Sequence, residues 1–176
     1  MFRAANDDRS AFGTLMERWE LPVKRFHGRM VQNAAEAEDL TQQTFVNAWQ
    51  HRTSFQPAAE FRPWLMAFAV GAARKRLRWW RRQPAISLEA WIEAGGDNES
   101  AEAPSEGEIV VRERAQAVRL AVAELPCALR EIAVLFELEG LPQAEIVAIL
   151  GCDRKAFEGR LFRARTALRV SLADVE

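Results

Sequence analysis

Apolar residues in the first half of the chain return at helical intervals. Ala37, Leu40, Thr44, Phe45 and Ala48 fall at i, i+3, i+7, i+8 and i+11, one stripe of a helix. Phe61, Trp64, Leu65, Phe68, Ala69 and Ala72 form a second stripe, with Pro63 in a first turn where a missing N–H does no harm. Both stripes predict inward faces of helices within a helical stretch from about residue 7 to 82. From 83 to 111 the pattern breaks. Glu89, Glu93, Asp97, Glu99, Glu102, Glu106 and Glu108 stand there without a single Lys or Arg, among Gly95-Gly96, Pro104 and Gly107. Single-sign charge with few large apolar residues predicts a flexible linker, apart from a short amphipathic turn at Trp91-Ile92. Helical periodicity resumes over 112–172: Leu120 to Leu125 before Pro126, then Leu129, Ile132, Ala133 and Phe136 before Gly140, then two short helices flanking Gly151. No alternation of period two occurs. The expectation is an all-α protein, with helical domains over 1–82 and 112–176 joined by the acidic linker 83–111.

Within the second half, 143–165 has the form of a helix-turn-helix. Ile146, Val147, Ile149 and Leu150 supply the apolar face of a short first helix, Gly151 can take the positive φ of a tight turn, and Asp153 suits the N-cap of the next helix. That helix carries Arg154, Lys155, Arg160, Arg163, Arg165 and Arg169, with Glu158 the acid along its length. A basic helix after a short apolar one is the arrangement that enters a DNA major groove, although a solvated basic face of a small bundle has the same composition.

Charge adds little taken whole: 24 Lys+Arg against 25 Asp+Glu give a formal net −1. Its distribution adds more. Arg74-Lys75-Arg76-Leu77-Arg78-Trp79-Trp80-Arg81-Arg82 concentrates cations and two indoles at the end of the second stripe. Arginines bind phosphates, and aromatic rings stack on unpaired bases. A membrane-surface helix is the competing reading, weakened by the lack of a wide apolar face. The N-terminus turns acidic at Asp7-Asp8 before any apolar run, unlike a signal peptide, and no run reaches the roughly 18 apolar residues of a membrane span. A cytoplasmic protein is expected. Cys127 and Cys152 lack metal-site spacing and read as packing or surface thiols. His27 and His51 have no triad partner and read as structural or solvent-facing. No catalytic, metal or cofactor site is expected.

Two sets of residues resemble one family. Asp39-Leu40-Thr41-Gln42-Gln43-Thr44-Phe45-Val46-Asn47-Ala48-Trp49, followed by Phe61-Arg62-Pro63-Trp64-Leu65, resembles the second conserved region of extracytoplasmic-function (ECF) sigma factors. Leu125-Pro126, Arg130-Glu131, Glu145-Ile146, Leu150-Gly151 and Arg160-Leu161-Phe162-Arg163-Ala164-Arg165 resemble the fourth. The resemblance implies a non-enzymatic subunit that binds core RNA polymerase, recognises promoters and helps open them. It implies docking on core polymerase through Asp39, Gln42, Gln43 and Asn47. It assigns −10 recognition and melting to the loop 51–60, with Ser54, Phe55 and Gln56, and to Arg74, Lys75, Arg78, Trp79, Trp80, Arg81 and Arg82. It assigns −35 reading to Arg154, Lys155, Glu158, Arg160, Arg163 and Arg165. An anti-sigma factor or other regulator is a further implied partner. The chain departs from the family pattern at Gly71 and Lys75, where an Asn and an Asp are usual, and at Ala156-Phe157-Glu158-Gly159, where a Thr-Val-Lys-Ser run is usual. These departures leave the promoter sequence open. They also keep two other readings in view, an ordinary helix-turn-helix regulator and a sigma-like interaction module.

Overall fold

The structure is a computed structural model. It describes Met1 and residues 7–56, 58–82 and 106–173, with 106–110 as backbone only. Among these residues no strand occurs. The elements are α1 (Arg9–Val31), α2 (Ala34–Gln50), a 3₁₀ turn (Arg52–Ser54), α3 (Phe61–Trp80), α4 (Glu106–Glu124), α5 (Cys127–Ile132) running into a π-helical segment (Ala133–Leu138), α6 (Gln143–Leu150) and α7 (Arg154–Ser171). Most of the expected linker, including Trp91-Ile92, lies outside the described residues. Its last part, from Glu106, is the start of α4.

Local chemistry sets the ends of these helices. Asp8 caps α1 by accepting from Ala11 N at 2.9 Å. Gln32 closes α1 at φ 58, and Asn33 opens α2 by accepting from Glu36 N at 3.0 Å. The α1–α2 turn is therefore two residues long, which forces the helices antiparallel and into contact. In the second half Gly151 takes φ +60 and Asp153 accepts from Ala156 N at 2.7 Å, the turn and cap expected there.

The α2 stripe is buried throughout, from Ala37 to Ala48. The α3 stripe is buried only in part. Leu65, Ala69 and Ala72 are buried, but Phe61, Trp64 and Phe68 are half-exposed, and Met66, Val70 and Ala73 complete the inward face instead. The three displaced aromatics form a ladder, with Trp64 and Phe68 rings 4.9 Å apart and Phe61 and Trp64 5.9 Å apart.

Residues expected in separate domains share one buried apolar cluster. Val23, Phe26 and Met30 of α1, Phe45 of α2 and Leu65 and Val70 of α3 belong to it, together with Ile132, Leu135, Ile146, Ile149 and Phe157. The contact is made chiefly by α6 on α3, and by the π segment on α1. Polar links cross the same seam. Arg130, buried in α5, donates to Met30 O at 2.8 Å and to Leu125 O at 3.3 Å, and also to Ala123 O. Glu139 accepts from Arg29 at 2.7 Å and Arg25 at 3.2 Å. Arg62 pairs with Glu145 through both guanidinium and carboxylate edges.

Candidate functional site

The exposed side of α2 carries two adjacent strips. Asp39, Gln42 and Val46 point to solvent along one, at i, i+3 and i+7. Val46 is an exposed hydrophobic that the sequence pattern did not single out. Gln43 and Asn47 form the neighbouring strip, joined by a bond from Gln43 Nε2 to Asn47 Oδ1 of 3.0 Å. They face not open solvent but a groove of about 830 Å³ between α2 and α3.

The far wall of that groove is the basic run. Gly71, Lys75, Arg78, Trp79 and Arg82 line it, because i, i+4, i+7, i+8 and i+11 keep them on one face of α3. Trp79 is 48% exposed, with the Arg76 guanidinium 5.9 Å from its ring centre. The remaining members of the run turn the other way. Arg74 reaches the C-terminal half and binds Glu131 through Nε–Oε1 at 2.6 Å and Nη2–Oε2 at 2.7 Å. That pairing raises the Arg74 pKa. Trp80 and Arg81 line a smaller cleft of about 270 Å³ between the halves, beside Val31, Leu77, Leu125 and Arg130. The run that reads as one cluster in sequence is thus divided by helical phase into a groove-facing set and a seam-facing set.

The loop after α2 is anchored on both sides. Arg52 lies 4.3 Å from the centre of the Trp49 ring, donates to Trp49 O at 2.9 Å and pairs with Asp7. Ser54 Oγ donates to His51 O at 2.7 Å. Phe55 meets Trp64 edge-on at 5.4 Å and Phe61 at 6.2 Å, so the aromatic ladder of α3 is its seat. Ser54 and Gln56 are exposed beside it. Rings and cations here are held in place before any ligand arrives.

In α7, Arg154 and Lys155 are exposed in the first turn, and Arg154 Nε bonds Glu158 Oε1 at 2.8 Å. Arg163 is exposed and Arg160 half-buried. Arg165 is drawn back onto the protein, 2.7 Å from Glu137 Oε1 and 5.6 Å from the Phe136 ring centre. Phe162, 72% exposed, projects from the same helix and was not among the expected DNA-facing residues.

Other titratable groups are occupied structurally. His27 is fully buried, with Nε2 2.9 Å from Thr44 Oγ1. Thr44 gives its proton to Leu40 O at 2.7 Å, so the imidazole donates from Nε2 and leaves Nδ1 without a partner. Burial pulls its pKa down to about 3. Burial and the neighbouring Glu131 push the Cys127 thiol up to about 11, which keeps it protonated and unreactive near neutral pH. Among the described residues no group of three or more His, Cys, Asp or Glu is placed to hold a metal ion, and no helix is long and apolar enough to cross a membrane.

Comparison with known proteins agrees with this division of surfaces. The Sigma-70 region 2 family matches residues 15–83, and the Sigma-70, region 4 family matches residues 115–168. RNA polymerase sigma factor CnrH of Cupriavidus metallidurans is 32% identical over 99% of this chain and 93% of its own length. RNA polymerase sigma factor CarQ of Myxococcus xanthus is 34% identical over 100% of this chain and 97% of its own. The ECF RNA polymerase sigma-E factor of Escherichia coli K12 is 32% identical over 94% and 88%. Among solved structures, CnrH in complex with the cytosolic domain of CnrY superposes with a TM-score of 0.70 at 26% identity, covering 98% of this chain and 94% of that one. The sigma factor RpoE of Bartonella quintana, in complex with the anti-sigma factor NepR, shares the fold with a TM-score of 0.67 at 24% identity, over 93% and 97%. With both conserved regions matched in order and relatives aligned over nearly its whole length, the chain belongs to the extracytoplasmic-function sigma factors of the sigma-70 type.

Proposed function

We propose that this chain joins core RNA polymerase in the cytoplasm, directs it to promoters and assists their opening, without bond-making chemistry of its own. The observation that carries this reading is the placement of three different surfaces on one frame. They are a polar, partly apolar strip on α2, a cationic and aromatic groove on α3, and an exposed basic helix ending a helix-turn-helix. A plain duplex-binding regulator needs only the last.

In this reading Asp39 and Gln42, with Val46 one turn further along, dock on polymerase. Lys75, Arg78, Trp79 and Arg82 hold the melted −10 strand, with Ser54, Phe55 and Gln56 beside it. Unstacking a base costs a few kcal/mol, which stacking and phosphate contacts offset. Arg154, Lys155, Arg160 and Arg163 engage upstream duplex. The complexes of CnrH with CnrY and of RpoE with NepR support a regulator of the anti-sigma kind as a further partner. Run-off transcription with core polymerase on a library of genomic fragments tests the reading. Transcripts with defined starts should appear only when the protein is added. An unchanged transcript set would overturn it.

A further inference from the structure

The groove between α2 and α3 contains more than phosphate binding requires. Gly71 forms part of its lining in mid-helix, where glycine weakens a helix relative to alanine. A β-carbon there would meet no atom of this chain within 4 Å, so internal packing does not account for the missing side chain. Gly13, Gly28 and Gly159 are equally open, but they do not line this groove. What distinguishes Gly71 is its setting, with the exposed indole of Trp79 two turns along and cations on both sides. Across from it, the Gln43–Asn47 bond consumes one Gln43 N–H and one Asn47 lone pair. It leaves the Gln43 carbonyl oxygen as acceptor and the Asn47 NH₂ as donor, side by side.

An adjacent donor and acceptor on paired amides match a base that offers an amino group next to a ring nitrogen, as adenine and cytosine do; guanine and thymine offer no such pair on the edge they expose when unpaired. We propose that the groove is a base-selecting site, seating one unpaired adenine or cytosine over Gly71. Trp79 stacks on the base, Gln43 and Asn47 read its edge, and Lys75 and Arg78 hold the flanking phosphates. The inference rests on the promoter-opening reading and moves Gln43 and Asn47 from polymerase docking to base selection. Gly71 serves as a positioning residue, since its contribution is the room it leaves.

The test uses full-length protein assembled with core polymerase and a randomised library of single-stranded DNA 12-mers, with bound species sequenced. The wild-type complex should enrich adenine or cytosine at one position, and substitution of each base in turn in the selected 12-mer shows which of the two is taken. Gln43→Ala with Asn47→Ala should still assemble with core but bring all four bases at that position within about twofold of one another. Gly71→Leu should assemble and bind the selected 12-mer at least tenfold more weakly. Gly71→Ala should raise Tm while weakening the same binding, a combination that a purely structural glycine would not produce. Loss of core assembly in the double variant would return Gln43 and Asn47 to docking and overturn the proposal. Wild-type binding by Gly71→Leu would overturn it as well. A wild-type chain that never assembles with core would instead sink the promoter-opening reading.

Discussion

Arg74 and Glu131, 57 residues apart, meet edge to edge at 2.6 and 2.7 Å, with the Glu131 side chain 1% exposed. Arg74 sits among cations of the promoter-facing helix, yet it is spent on the C-terminal half. Removing it strands a carboxylate in the seam, and breaking a buried pair by deleting one partner costs about 3–5 kcal/mol. Arg74 is part-exposed, so the low end applies: about 3 kcal/mol for Arg74→Ala. Arg78→Ala, on the open groove, should cost within about 0.5 kcal/mol. Urea unfolding of both variants checks the contrast, and equal losses would show that the pair does not hold the seam.

For polymerase docking, Asp39→Lys with Gln42→Lys should weaken association with core while leaving the circular dichroism melt in place, since exposed substitutions away from packing cost little. Gel filtration of the mixture with core reads the result. Undiminished co-elution would remove the docking role from this strip.

The adjacent tryptophans should behave differently. Trp79→Ala should leave the fold intact and reduce transcription from a duplex template more than from one carrying a pre-melted bubble. Trp80 packs against the core from the seam, so Trp80→Ala should lower Tm instead. Equal loss on duplex and bubble templates by folded Trp79→Ala would rule out a melting role for that indole.

In the recognition helix, Arg160→Ala with Arg163→Ala should reduce affinity for upstream duplex and flatten its salt dependence. Each arginine–phosphate pairing that disappears lowers the slope of log K against log salt by about 0.9. Holoenzyme binding to a −35 fragment at several salt concentrations measures it, and an unaltered slope would show that neither arginine touches a phosphate.

Acid should destabilise the chain through His27. Its folded pKa of about 3 lies below the ordinary value of 6.5, so between those limits the unfolded chain binds a proton that the folded chain refuses. Stability is therefore fully present above about pH 6.5 and falls as pH drops, by up to about 1.4 kcal/mol per unit from this group. His27→Leu should flatten the fall between pH 6 and 4. A slope identical to the wild type would assign acid sensitivity to other groups.

What the sequence discloses here is local. The α2 stripe is legible because every third or fourth residue is apolar, and the α6–α7 turn because Gly151 and Asp153 each answer a demand of the backbone within three residues. The α3 stripe is legible only in part, since a helix touching neighbours on several sides has no single inward face, and Phe61, Trp64 and Phe68 build the loop's seat instead. The start of α4 at Glu106 was hidden by composition: acids that read as linker also suit a helix N-terminus, where they complement the dipole. The division of the basic run between groove and seam was out of reach, because it depends on Glu131 and α6 arriving from far along the chain. For the same reason the shared core of the two halves left no periodic trace.

The π-helical segment 133–138 has a genetic consequence. Its Glu139 N–H reaches back five residues to Val134 O at 2.9 Å, so one residue more than an α-helical turn is accommodated there. Losing a single codon within the segment would let an ordinary α-helix form, a change the local backbone would welcome. Everything downstream would then be rotated by about 100° about the helix axis. Glu139 would swing away from Arg25 and Arg29, and the recognition helix would be re-aimed relative to the promoter-melting groove. Codon deletions at this point would therefore alter the spacing of promoter elements the protein tolerates, without changing any residue that touches DNA.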